Sequence, residues 1–184
     1  SSIIGKDIYT RNGTADVVSI FGNRVFDFPK PVALVKELID QTASDDSIVL
    51  DFFAGSGTTA QAVLELNKED GGHRRFIVCT NNEKEICEMV TYPRIKTVIT
   101  GKRADDSDYS EGISANLKYY RTDFVSKDEE YLSDVLLDHI AEMIQLEHGV
   151  KLDGKKYILI LEDDEADMLS SHWNDYPNVK ALYV

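Results

Sequence analysis

Ser47-Ile48-Val49-Leu50-Asp51-Phe52 runs directly into Phe53-Ala54-Gly55-Ser56-Gly57-Thr58-Thr59. A short apolar run between turn signals reads as a buried strand. The glycines break it, and residues 58 to about 67 read as a helix that turns Ala62, Val63 and Leu66 toward the sheet. Such a bend suits a ligand. Glycine adopts positive φ and lets a ligand approach the backbone without a Cβ in the way. The first N–H groups of the new helix favour an anionic group. Gly55-x-Gly57-x-x-Ala60 also satisfies a loose dinucleotide fingerprint. A tight turn without a ligand has the same spacing, so the bend alone leaves both readings open.

Upstream, Phe26-Asp27-Phe28-Pro29-Lys30-Pro31 places two prolines around Lys30 and holds the backbone extended there. Leu34, Val35, Leu38 and Ile39 follow at helical spacing, from Pro31 to about Gln41. Before them, Val17-Val18-Ser19-Ile20-Phe21 reads as extended. Downstream, Asp70-Gly71-Gly72 is a loop and Arg75 to Cys79 a strand. Glu83 to Val90 reads as helical, and Pro93 opens another helix to about Ile99. The order α-β-α-β-α favours a parallel sheet with helices on its faces.

Gly101 to Gly112 is polar and acidic. Leu117-Lys118-Tyr119-Tyr120 reads as a strand. Ser126-Lys127-Asp128-Glu129 fits a capping box for a helix bearing Leu132, Val135, Leu136, Ile140, Met143 and Ile144, closed by Gly149. Tyr157 to Leu161, a helix from Asp164 to Ser171 and a strand at 179–184 form a second βαβ-like unit. The fold class is α/β, a Rossmann-like doubly wound sheet with a small C-terminal α/β extension. Its expected divisions are 1–100, a linker or loop at 101–116, and 117–184.

The chain has 184 residues, with Lys and Arg totalling 20 against 33 Asp and Glu, a net charge of −13. A domain that grips nucleic acid alone usually carries a basic surplus; this one has the reverse. At 42% apolar it has enough to bury a core. No apolar run is long enough to cross a bilayer and no signal-peptide pattern opens the chain, so a cytoplasmic location without membrane contact is expected. Cys79 and Cys87 have no second pair, so neither a disulfide framework nor a zinc site is supported.

The bend resembles the cofactor loop of the amino-DNA methyltransferases of the β arrangement, usually Asp-Pro-Phe-x-Gly-Ser-Gly-Thr-Thr. Phe52 replaces the usual Pro, a departure found in modification subunits of type III restriction-modification systems. Phe28-Pro29-Lys30-Pro31 resembles the second cofactor element of that family. The resemblance continues through Phe76 to Glu83 and Asn116 to Thr122. It implies the S-adenosylmethionine-dependent methyltransferase fold, with the cofactor at the carboxyl ends of the strands. Asp51 would counter the ammonium of the methionine moiety. The N–H groups around Gly55, Ser56, Gly57, Thr58 and Thr59 would receive its carboxylate, with Ala54 part of the same loop. Phe53, beside Phe52, would wall the adenosine or sulfonium. Lys30 and Pro31 would close the methionine side, with Phe28 a cofactor-binding residue of the same element. The ribose position, an acid in related enzymes, falls to Glu83 or to the amides of Asn81 and Asn82.

The catalytic tetrapeptide of that family is Asp/Asn/Ser-Pro-Pro-aromatic. The prolines here are Pro29, Pro31, Pro93 and Pro177, none adjacent, so no catalytic residue is assigned. With no initiator Met and an apolar run at its end, the chain reads as a C-terminal fragment of a larger modification subunit. That parent would flip an adenine and methylate its N6, bind DNA, dimerise and pair with a restriction subunit. The fragment alone does not separate adenine N6 from cytosine N4. Two rivals stand beside this reading: a cofactor-binding or assembly module without chemistry, and a nicotinamide-dependent Rossmann enzyme. The other candidates have plainer explanations. His73, His139, His148 and His172 are scattered, and no metal site is assigned. Cys79 and Cys87 read as small core residues. Glu162-Asp163-Asp164-Glu165 reads as an acidic helix start, and Tyr119-Tyr120 as core. Arg74-Arg75 and Lys102-Arg103 are expected on loops.

Overall fold

A computed structural model describes residues 6–128 and 130–184, which divide into two units, one running to Tyr120 and one spanning Arg121–Val184. In the first unit the order is α1 (Thr10–Phe21), α2 (Val32–Thr42), β1 (Ile48–Asp51), α3 (Thr58–Asp70), β2 (Arg75–Val78) and α4 (Tyr92–Thr100). β1 and β2 are parallel, with Ile48 opposite Arg75 and Asp51 opposite Val78. The expected strand-helix-strand unit is therefore present. Among the described residues this sheet has two strands.

α3 is buried on more than one side. Ala60 and Leu64 pack with Ile20, Ile95 and Val98, between α1 and α4. Ala62, Val63 and Leu66 pack with Val32 and Ile39 of α2 and against Val49 and Phe76 of the sheet. Asn67 then closes the turn into β2: its side chain donates to the Arg74 carbonyl at 2.8 Å and accepts the Arg74 N–H at 3.0 Å. Gly71 supplies the left-handed residue that ends the helix, at φ 74°.

Residues 17–21, expected as extended, are the end of α1. Gly13, Val17 and Ile20 are buried at helical spacing, so packing against α3 and α4 overrides the β-branched preference of that stretch. α1 in turn positions the Lys-Pro segment. The Asp16 carboxylate accepts the Val32 N–H at 2.9 Å and so caps α2 from a neighbouring helix. Gly13 lies against the backbone of Pro29 and Lys30.

The helix expected from Glu83 is a 3-10 turn at Glu83–Glu85 and a π turn at Cys87–Thr91, leading into α4. Pro93 offers no N–H to the turn below and crowds the carbonyl four residues back, and the helix widens there. Residues 117–120, expected as a strand, are irregular. Tyr119 and Tyr120, expected in the core, are substantially exposed, and Tyr119 donates to Glu88 at 3.2 Å. Cys79, expected in the core, is exposed just beyond the end of β2. Arg74 lies on the loop before β2, as expected, yet is buried and paired with Asp70 at 2.8 Å; Arg75, also expected on a loop, opens β2. The acidic segment after α4 folds back onto it through Ile113 N–H to Val98 O at 3.0 Å. Arg103 ties that segment to α1, donating to the Ser19 carbonyl through Nε and Nη2 at 3.1 and 3.0 Å.

The second unit holds α5 (Leu132–Leu137), α6 (Ile140–His148), β3 (Tyr157–Leu159), α7 (Asp163–Ser171) and β4 (Ala181–Tyr183). The single expected helix over this region is two, broken at Asp138–His139, and Gly149 ends the second at φ 62°. Glu129 of the expected capping box lies outside the described residues. β3 and β4 are parallel and α7 connects them, as the pattern predicts. Asp163, Asp164 and Glu165 form the first turn of α7, where negative charge meets the positive end of the helix dipole.

Two predictions follow from these contacts. A Cβ at position 13 would stand 2.1 Å from the Pro29 carbonyl oxygen. Alanine normally stabilises a helix interior by about 1 kcal/mol over glycine. Here Gly13→Ala is expected to destabilise by at least about 2 kcal/mol, the scale of overpacking a tight contact, in urea unfolding. The second concerns Asp153, whose Oδ1 accepts the N–H groups of Lys156, Lys155 and Tyr157 at 2.7, 3.0 and 3.1 Å. These bonds hold its carboxyl at about 2, below the ordinary 3.8. A carboxyl depressed by folding contributes stability that is complete above its unfolded value and lost as pH falls through its folded one. An NMR titration should place the Asp153 midpoint near 2, and the turn before β3 should loosen between pH 3.8 and about 2. A midpoint at 3.8 refutes this.

Candidate functional site

The bend between β1 and α3 is held by groups from each element around it. Asp51 closes β1, and its Oδ1 accepts the Phe53 N–H at 2.9 Å while Oδ2 accepts the Thr59 hydroxyl at 2.6 Å. Each oxygen keeps acceptor capacity for a cation. The Ala54 N–H donates to the Cys79 carbonyl at 2.9 Å, hooking the bend onto the end of β2, and the Gly57 N–H donates to Ala54 at 2.7 Å. Gly55 and Gly57 stand at φ 50° and 82°. A Cβ on Gly57 would also meet the Thr91 methyl at 3.3 Å.

Thr91 and Arg94 support the bend from beneath. The Thr91 hydroxyl donates to the Gly55 carbonyl at 2.7 Å. Arg94 is 0% exposed. Its Nη1 donates to the Ser56 hydroxyl at 2.8 Å, the Ser56 carbonyl at 3.2 Å and the Thr58 hydroxyl at 3.1 Å; its Nε donates to Gln61 at 2.8 Å. Burial lowers its pKa to about 10 against the opposing pull of Asp16, Tyr109 and Glu65, so it carries its charge at neutral pH. The Thr58 hydroxyl donates onward to the Lys30 carbonyl at 3.2 Å. The Lys-Pro segment is thus held between α1 on one side and the bend on the other.

A cavity of about 240 Å³ opens above this arrangement. Phe28, Lys30, Asp51, Phe53, Ala54, Gly55, Ser56, Thr58 and Thr59 line it, together with Phe26, Asp27 and Val35. The structure therefore brings the Lys-Pro segment and the glycine bend to one pocket. Phe53 is 92% exposed and Phe28 78% exposed. Large aromatic groups so open beside a cavity are available to a ligand. Phe28 also sits at φ 55°, a conformation costing an aromatic residue roughly 1–3 kcal/mol.

The other expected site residues lie elsewhere. Pro31 is buried as the N-cap of α2, and Gly57 is the N-cap of α3. Phe52 is exposed and does not line the cavity. Asn81 and Glu83 follow β2 and are also outside the cavity lining; the Asn81 amide oxygen accepts the Glu83 N–H at 3.2 Å. Thr91, Arg94 and Gln61 were not singled out from the sequence. Their signal was present, since Arg94 interrupts an otherwise apolar helical stripe of Val90, Ile95 and Val98.

Residues 5–92 match the family of DNA methylases. Over 70 residues the chain is 56% identical to the type III restriction-modification enzyme StyLTI Mod subunit of Salmonella typhimurium, covering 38% of this chain and 11% of that protein. Over 77 residues it is 46% identical to the type II methyltransferase M.KpnI of Klebsiella pneumoniae, covering 42% of this chain and 18% of that protein. It is also 46% identical over 74 residues to the EcoPI Mod subunit of Escherichia phage P1, covering 40% and 12%. The chain thus spans less than a fifth of the length of these relatives. Among the described residues no helix is long and apolar enough to cross a membrane.

The bend between β1 and α3 needs at residue 57 a backbone that only glycine adopts freely. Gly57→Ala is expected to cost about 1–2 kcal/mol for the left-handed conformation alone, with more for crowding Thr91. Urea unfolding of the two proteins measures it; equal midpoints contradict this account of the bend.

Proposed function

We propose that this chain is the S-adenosylmethionine-binding part of a site-specific DNA adenine-N6 methyltransferase of the type III modification class. The observation that carries the reading is one pocket in which a carboxylate, a helix N-terminus and open phenyl rings converge. A zwitterionic tail needs an anion for its ammonium and donors for its carboxylate. Asp51 offers the first, with both oxygens already oriented by Phe53 and Thr59. The bend and the first turn of α3 offer the second. When bound, S-adenosylmethionine supplies a methyl group activated on a sulfonium. Phe53 and Phe28 give that cationic end a polarisable face, and Lys30 and Pro31 belong to the segment that closes the methionine side.

Size supports the tail assignment. Whole small-molecule sites measure roughly 300–1,000 Å³, and this cavity is about 240 Å³. It suits the amino-acid end, with the nucleoside extending toward the strand ends, where Asn81, Asn82 and Glu83 follow β2. A nicotinamide dinucleotide fits less well. Its pyrophosphate would lie against the helix start beside the Asp51 carboxylate, charge against like charge.

The proposed fold is the Rossmann-like, doubly wound sheet of these enzymes, with residues 1–100 in the cofactor part, 101–116 a loop and 117–184 an extension. One face of β1 and β2 packs on α3, whereas Ile48, Leu50 and Ile77 on the other remain about half exposed. Parallel sheets are normally covered on both faces, which favours a further layer packed on this face in the whole enzyme. The same reading gives DNA, a restriction subunit and a second copy as partners, and a cytoplasmic location. With no adjacent prolines, this chain lacks an Asp-Pro-Pro-aromatic group to hold a flipped adenine, so methyl transfer needs that element from elsewhere.

Calorimetry with S-adenosylmethionine and NAD separates the readings. The chain is expected to bind the first and not the second, and Asp51→Asn to weaken binding about tenfold or more, the scale of a lost charge-assisted bond. Labelled cofactor and adenine-containing DNA should give no transfer above background. No binding of S-adenosylmethionine at millimolar concentration would leave an assembly module without chemistry as the better account.

A further inference from the structure

Arg94 comes from α4, does not itself line the cavity, and is the largest fully buried side chain among the described residues. A buried guanidinium is a costly choice for packing alone. Its Nη2 is buried without a hydrogen-bond partner, so this site is not tuned for stability. Every acceptor it does reach belongs to the bend or the helix that follows: both oxygens of Ser56, the Thr58 hydroxyl and the Gln61 amide oxygen. Ser56 and Thr58 themselves lie 3.2 Å apart through their hydroxyl oxygens. The Thr58 hydroxyl in turn donates a hydrogen bond to the Lys30 carbonyl. One side chain therefore links α4, the glycine bend and the Lys-Pro segment, the last two of which both line the cavity.

We infer that Arg94 is the positioning residue for the ligand's carboxylate tail: it fixes Ser56 and Thr58 from beneath, and through Thr58 the Lys30 carbonyl, so that the N–H groups of the bend face the tail. The inference rests on the pocket being the S-adenosylmethionine site. Its positive charge, kept at neutral pH, also adds to the helix N-terminus on the side where the carboxylate is received. Such a residue acts on one part of the ligand. Removing it disorders the tail-binding N–H groups and leaves the aromatic wall, which Arg94 does not touch.

The test compares two ligands that differ only in that tail: S-adenosylhomocysteine, which has it, and 5′-methylthioadenosine, which ends at the thioether. Affinities are measured by calorimetry on the whole chain, with circular dichroism to confirm folding. Arg94→Met is expected to lose about tenfold or more in affinity for S-adenosylhomocysteine, as expected for charge-assisted bonds, and less than about twofold for methylthioadenosine. Arg94→Lys, which keeps the charge and loses the fork, should fall between wild type and Arg94→Met. Thr58→Val cuts the link to Lys30 without touching the charge and should give a smaller loss of the same kind; it decides the matter if both Arg94 variants fail to fold. Equal losses for the two ligands, or no loss, in a folded variant overturns the positioning role while leaving the pocket intact. A wild-type chain that binds neither ligand instead removes the pocket assignment, and this inference with it.

Discussion

A charged group on each side holds the strand-to-helix bend. Asp51 grips it from the open side through Phe53 and Thr59, and Arg94 from the buried side through Ser56 and Thr58. Neither group belongs to the bend's hydrophobic surroundings, and the two are not a pair: no bond joins them. Opposite charges placed across one short turn polarise it. They leave a carboxylate at the mouth and positive potential behind the helix N-terminus, separated by the backbone of residues 53–59. A ligand carrying both an ammonium and a carboxylate matches this polarity; a singly charged or doubly anionic ligand matches half of it.

The surrounding packing serves that geometry. α3 supplies apolar contacts on several sides because the bend can be rigid only if the helix it opens is fixed. α1 reaches the Lys-Pro segment through the missing side chain of Gly13 and caps α2 with Asp16. The π turn at 87–91 brings Thr91 under Gly55 and delivers Arg94 one turn later. Pro93, which forbids a regular helix there, is thus part of how the site is built.

The strand, bend and helix at 47–70 were legible because local signals agree: an apolar run, glycines where positive φ is needed, then helical spacing. The pocket's two walls were legible from a resemblance carried by Lys30-Pro31 and Phe53 to Thr59. Less was visible where distant packing decides. Residues 17–21 look extended by composition, yet contacts to Ile95 and Val98, far along the chain, make them helical. Cys79 looks like a core residue from its strand, but the strand ends one residue earlier. Arg94 was readable only as an anomaly, a charge inside an apolar stripe, and its partners could not be named until α4 was seen beneath the bend. Ile48, Leu50 and Ile77 read as core and are half exposed, because one face of the pair lacks a covering layer among the described residues.

That open face bears on how the pocket works. Burying a residue such as Leu or Ile contributes about 1.5–3 kcal/mol, so three half-exposed ones leave several kcal/mol of stabilisation unclaimed beside the carboxyl end of β1. The bend hangs from that strand and from Cys79 at the end of β2. Any element that covers the outer face would stiffen both strands and, through them, the orientation of Asp51. Arg94 stands apart from this coupling: it anchors the bend to α4, on the side of α3 already packed. Both halves of the pocket are therefore oriented from within residues 6–120, the tail-binding N–H groups through Arg94 and the carboxylate through Phe53 and Thr59.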